Sequence, residues 1–138
     1  MFSQIMVPVD LRHRDQMRKA LDVAADLARQ YSAPICYVGV TSPEPGELGH
    51  RPEEFATKLA EFGAAEGKRH GQDCTTQMVV AQDPTTEIDA KLSETVSEIG
   101  ADLVVMATHM PNVTDYFWSS HGGALARHTR ASVMLVRG

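Results

Sequence analysis

Apolar residues along the chain follow two rhythms. Unbroken short runs occur at residues 4–9 (QIMVPV), Ile35 to Val40, Met78 to Ala81, Leu103 to Ala107 (LVVMA) and Val133 to Val136. They lack the polar alternation of a half-exposed strand, so they predict strands covered on both faces. Between them the spacing turns helical. From Asp15 to Tyr31, the residues Met17, Ala20, Leu21, Ala24, Ala28 and Tyr31 line one face with charges opposite. Phe55, Leu59 and Phe62 predict a second helix, expected to fray near Gly67 to Gly71. Asp83 before Pro84 is a helix start, because Asp caps free N–H groups and Pro suits the first turn. Ile88, Leu92, Val96 and Ile99 form the core face of that helix, and Gly100 ends it. Ser119 to His128 predicts the last helix, weakened by about 1 kcal/mol at each of Gly122 and Gly123 relative to Ala. Residues 41–54 (TSPEPGELGHRPEE), rich in proline and glycine, predict a mobile surface loop.

The resulting order, β-α-β-α-β-α-β-α-β, calls for parallel strands joined by right-handed crossovers. The expected fold class is an open five-stranded parallel α/β sheet, order 3-2-1-4-5, with helices on both faces. In such sheets ligands sit beyond the carboxyl ends of the strands, where the winding reverses. With strand one central and its neighbours wound in opposite directions, that point falls between strands one and four, whose ends carry Pro8-Val9-Asp10 and Met106-Ala107-Thr108-His109.

Size and charge narrow the function. The 138 residues suit a single domain, residues 1–138, and 43% hydrophobic with 22% charged residues is globular composition. A net charge of −5 argues against nucleic-acid binding. No apolar run reaches the roughly 20 residues of a membrane helix, and MFSQIMVPVD lacks the basic start of a signal peptide, so a cytoplasmic location is expected. Cys36 and Cys74 lack metal-ligand spacing and are expected as free thiols. His109, His121 and His128 match no zinc signature. No Ser-His-Asp, Cys-His or paired-carboxylate arrangement stands out, so no catalytic residue is assigned and at most a slow ATPase is expected. Lys68-Arg69-His70 reads as a solvated helix end. Tyr116, Phe117 and Trp118 read as aromatics packing a long loop onto the sheet or a partner.

At both ends the chain resembles the universal stress protein family. Members have an opening strand ending in P-x-D, here Pro8-Val9-Asp10, and a fourth strand ending in a small-S-H-type turn, here Ala107-Thr108-His109. Their last helix and strand read like RHAxCPVLVV, similar to Arg127 through Val136 here. Residues 107–121, ATHMPNVTDYFWSSH, look closest to an enterobacterial subgroup of the form A-S-H-x-P-x-I-T. The resemblance is weak between residues 41 and 76.

Nucleotide-binding members carry G-x2-G-x9-G-[S/T], whose glycines let backbone approach phosphate and whose closing hydroxyl sits at a helix N-terminus. This chain departs from it: Ala107, Met110 and Ser119 replace the glycines, and Gln82 stands where the loop after strand three often has one. The resemblance implies ATP or ADP in the crevice, with adenine near Asp10 and Val40 and phosphates near Ser119, Ser120 and His121. Pro8, Val9, Met106, Ala107 and His109 complete the expected site. No lysine lies in either site loop, and Arg127 and Arg130 are the arginines nearest in sequence to Ser119, Ser120 and His121. The resemblance and the apolar edge both imply a homodimer through Val133 to Val136. A nucleotide-free interaction module of the same fold is the alternative. An adenylate-forming enzyme fits poorly, since DLRHRDQ after strand one lacks the glycine- and serine-rich loop of that class.

Overall fold

A computed structural model describes residues 1–42, 51–107 and 121–137, leaving aside the side chains of residues 84–86, 121 and 122. Its strands are β1 (Ile5–Val9), β2 (Ile35–Thr41), β3 (Cys74–Val80), β4 (Leu103–Ala107) and β5 (Ser132–Val136). Its helices are α1 (Arg18–Tyr31), α2 (Pro52–His70), α3 (Pro84–Ile99) and α4 (His121–His128). The strands form one parallel sheet in the expected order β3-β2-β1-β4-β5. Every residue of β1 and β4 is buried, which matches their unbroken apolar runs.

Helices α1 and α2 lie side by side on one face, and the right-handed crossovers place α3 and α4 on the other. Phe62 of α2 packs edge-on against Tyr37 of β2, with ring centroids 5.4 Å apart. At the start of α3 the Glu87 carboxylate reaches back to accept from the Asp83 N–H at 3.1 Å. No helix among the described residues is long and apolar enough to cross a membrane.

Four local expectations need correction. The α1 region opens with two 3-10 turns, Leu11–His13 and Asp15–Met17, before α-helical hydrogen bonding begins at Arg18. Helix α2 starts at Pro52 inside the expected loop, and it does not fray: it runs unbroken through Gly67 to His70. A Cβ at Gly67 would sit 2.8 Å from the Cys74 Sγ, so that glycine serves close packing on β3, and Gly71 at φ +64° ends the helix. Strand β3 begins at Cys74, four residues before its apolar run, because its ladder with β2 starts at Ile35↔Cys74. Its first residues, Thr75, Thr76 and Gln77, lie on an edge strand and need no apolar side chains to pair. The mobile-loop reading otherwise falls on residues 43–50, outside the described residues.

Of Lys68-Arg69-His70, Lys68 is exposed at the helix end, whereas Arg69 and His70 tie α2 to α1. Arg69 grips Glu66 through two N–H donors at 3.0 and 2.8 Å and reaches Asp22 of α1 at 2.9 Å. Glu66 itself is only 5% exposed. His70 lies 3.6 Å from Asp22, and burial, reinforced by Arg69, holds its imidazole below the ordinary value. Cys36 and Cys74 are free thiols pushed up by burial. Cys74 pairs with Ile35 in register, so Cys36 projects to the opposite sheet face.

Candidate functional site

The seam between β1 and β4 is the switch point of the sheet, and its two ends differ. At the amino end it is clamped. The Asp102 carboxylate accepts from the Ser3 N–H at 2.9 Å, the Ser3 hydroxyl at 3.0 Å and the Gln4 N–H at 3.1 Å. The Asp102 N–H in turn donates to the Gln4 carbonyl at 3.0 Å. Burial alone would raise the Asp102 carboxyl, but these donors outweigh it and hold the group below the ordinary carboxylate value.

At the carboxyl end the seam is open. Pairing of β1 with β4 covers only Ile5↔Leu103 and Met6↔Val104. Yet β1 stays paired with β2 through Val9↔Gly39, and β4 with β5 through Ala107↔Val136. The cause is legible in the backbone. The Ile5 N–H donates toward β2, to the Pro34 carbonyl, while the Gln4 carbonyl accepts from Asp102 and Leu103 on the β4 side. Peptide groups of a strand alternate sides, so the next donors facing β4 belong to Met6, Pro8 and Asp10. Pro8 has no N–H to give. The Asp10 N–H goes to the Met17 sulfur at 3.2 Å. Proline in this central strand therefore removes a seam hydrogen bond where the sheet must part.

Strand β1 ends at Val9 and β4 at Ala107, so Pro8, Val9, Asp10, Met106 and Ala107 lie at the carboxyl ends of the two seam strands. Val40 lies one residue beyond Gly39, the β2 partner of Val9. All but the half-buried Val40 are buried. His109, Ser119 and Ser120 lie outside the described residues, as do Thr108, Met110 and the aromatics Tyr116, Phe117 and Trp118. His121 opens α4, with only its backbone described.

Asp10 is 6% exposed and caps the 3-10 turn that follows β1, accepting from the Arg12 N–H at 3.0 Å. The same carboxylate receives the Arg12 guanidinium, Nε to Oδ1 at 3.1 Å and Nη2 to Oδ2 at 3.2 Å. His13 Nε2 stands 4.0 Å from Oδ2. Sequence reading therefore missed a cation: Arg12 sits on the Asp10 carboxylate. Its signal was the two-residue spacing from Asp10, which suits a fork closing over a turn. Met17 and Asp102 were missed as well, because their contacts depend on how the chain folds back. Among the described residues no group of three or more His, Cys, Asp or Glu could hold a metal ion. The arrangement offers an acceptor carboxylate, a guanidinium and a bare seam, which suits binding of a polar ligand.

A sequence profile described as the universal stress protein family matches residues 1–137. Universal stress protein G of Salmonella typhimurium is 24% identical over 148 aligned residues, covering 99% of this chain and all of the relative. A universal stress protein crystallised in complex with cAMP superposes with TM-score 0.68 at 20% identity, over 98% of this chain and 97% of the other. The universal stress protein from Archaeoglobus fulgidus in complex with dAMP superposes with TM-score 0.66 at 18% identity, over 96% of each chain.

Proposed function

The chain belongs to the universal stress protein family, and from that premise we propose that it is a regulatory stress-response protein that binds ATP or ADP weakly in the β1–β4 crevice. The observation that carries this reading is the unzipped carboxyl end of the seam, with Pro8 and Asp10 at its mouth. Relatives of the same fold that hold cAMP and dAMP support an adenine nucleotide as ligand class. Adenine lies beside Asp10 and Val40, and the phosphates lie toward Ser119, Ser120 and His121, where donors at a helix start favour an anion by roughly 0.3–1 kcal/mol. The missing glycines and Met110 weaken that contact, so the expected affinity is micromolar or weaker, without productive turnover. Calorimetry with ATP on wild type and on Ser120→Glu tests it. Wild type should release heat on titration, and the added carboxylate should weaken binding at least about tenfold by repelling phosphate. No heat and no thermal shift at millimolar ATP would sink the reading.

A second reading, a cytoplasmic dimeric interaction module that uses no nucleotide, is favoured by one observation. Met134 and Leu135 are 41% and 48% exposed on edge strand β5, adjacent residues that face opposite sides of the sheet. A homodimer paired through Val133 to Val136 would cover them under either reading. A monomer in sedimentation at tens of micromolar would count against it.

A further inference from the structure

The contact between α1 and α2 holds a titratable group with nothing to bond. His70 closes α2 with its side chain only 10% exposed, and its Nε2 is sealed from solvent without a hydrogen-bond partner among the described residues. Two carboxylates flank it, Asp22 of α1 at 3.6 Å and Glu66, one turn back in α2, at 3.9 Å. Both are already engaged. Arg69 forks onto Glu66 and reaches Asp22, while Arg18 lies 3.8 Å from Glu66. Arg29 of α1, the remaining charge that acts on the imidazole, is paired with Asp26. Past the helix end, Gln72 donates its neutral amide to the Ala25 carbonyl at 2.7 Å. With His70 neutral, the charges of this cluster therefore balance, Asp22 and Glu66 against Arg69 and Arg18. A second proton on the ring adds a positive charge beside Arg69, at a place closed to water. Asp22 and Glu66 favour that proton, but burial and Arg69 outweigh them, and the imidazole resists it. The folded value thus lies below the ordinary 6.5, so the unfolded chain takes the proton more readily. The stability that neutral His70 supports is complete above 6.5 and is lost as pH falls through the folded value.

We propose that the α1–α2 contact is a latch released by acid, with His70 as its proton sensor. The imidazolium repels Arg69 and competes with it for Asp22, so the end of α2 loosens from α1. This goes beyond the nucleotide reading and stands without it. It gives the stress-response reading a signal, a fall in pH through the histidine range. Amide hydrogen exchange on the full chain, corrected for intrinsic rates, tests it on wild type and on His70→Gln, whose side chain is polar but does not titrate. Between about pH 7.5 and about pH 5.5, protection at Gly67 to His70 in wild type should fall at least about threefold. In His70→Gln the same amides should stay level. Protection that holds or rises on acidification of wild type overturns the proposal, as does an equal fall in His70→Gln. Should His70→Gln fail to fold, NMR titration of the wild-type imidazole decides beside the wild-type exchange. A His70 midpoint below 6.5 is expected, and one at or above it overturns the proposal.

Discussion

Asp102 and Asp10 are acidic residues at opposite ends of the same strand pair, and they do opposite things. Asp102 precedes β4 and directs its oxygens to Ser3 and Gln4, 99 and 98 residues away in sequence, closing the seam. Asp10 follows β1 and directs its oxygens to Arg12, two residues on, leaving the seam unjoined. A carboxylate whose partners are distant ties strands together. One satisfied locally frees the opposite strand end. The closed end thus acts as the fixed end of a wedge whose other end stays unpaired.

The closed end should carry the stability. Ile5 is fully buried within the paired stretch, so Ile5→Ala should cost about 2–5 kcal/mol in denaturant unfolding, a transfer and cavity loss together. Val9→Ala at the open end removes fewer methyl groups and should cost roughly half as much. Equal costs would mean that the two ends are packed alike and would break the comparison.

Asp102→Ala comes next. Loss of its bonds to partly exposed partners should cost about 1–2 kcal/mol and speed hydrogen exchange at Ser3 and Gln4. Its pH signature has a definite sign. Because the folded carboxyl lies below its ordinary value of 3.8, its contribution is present above that pH and is lost as pH falls through the folded value. Asp102→Asn should flatten this part of the acid limb; an unchanged limb would rule the clamp out as its source.

The smallest stability effect is expected at Pro8. Pro8→Val restores an N–H facing β4 and removes a restriction on the unfolded chain, two opposing terms of about 1 kcal/mol or less. Net stability should barely move, while the new amide becomes protected from exchange and the heat of ATP binding falls. An unprotected amide at position 8 would show that something other than proline holds the seam open.

Much of the fold was legible because its signals are local. Unbroken apolar runs and helical spacing gave five strands and four helices, and Asp83-Pro84 and Gly100 marked the bounds of α3. The end of the first apolar run put Pro8 and Asp10 at the carboxyl end of β1, where the structure has them. What escaped notice was polar or depended on neighbours: the polar start of β3, the unbroken passage of α2 through Gly67, and the Arg69 and His70 ties to α1. Strands β4 and β5 make the same point, since both read as apolar runs, yet one is wholly buried and the other leaves Met134 and Leu135 exposed.

The sequence alone determined the succession of five strands and four helices and hence a parallel sheet, because periodicity and connection handedness depend on residues close along the chain. Only the tertiary structure decided that the seam closes at Asp102 and opens at Pro8, and that Arg12 holds Asp10. Those outcomes depend on which backbone donor faces which strand and on which charged groups meet in space, and a proline's missing N–H matters only once a neighbour stands ready to accept it.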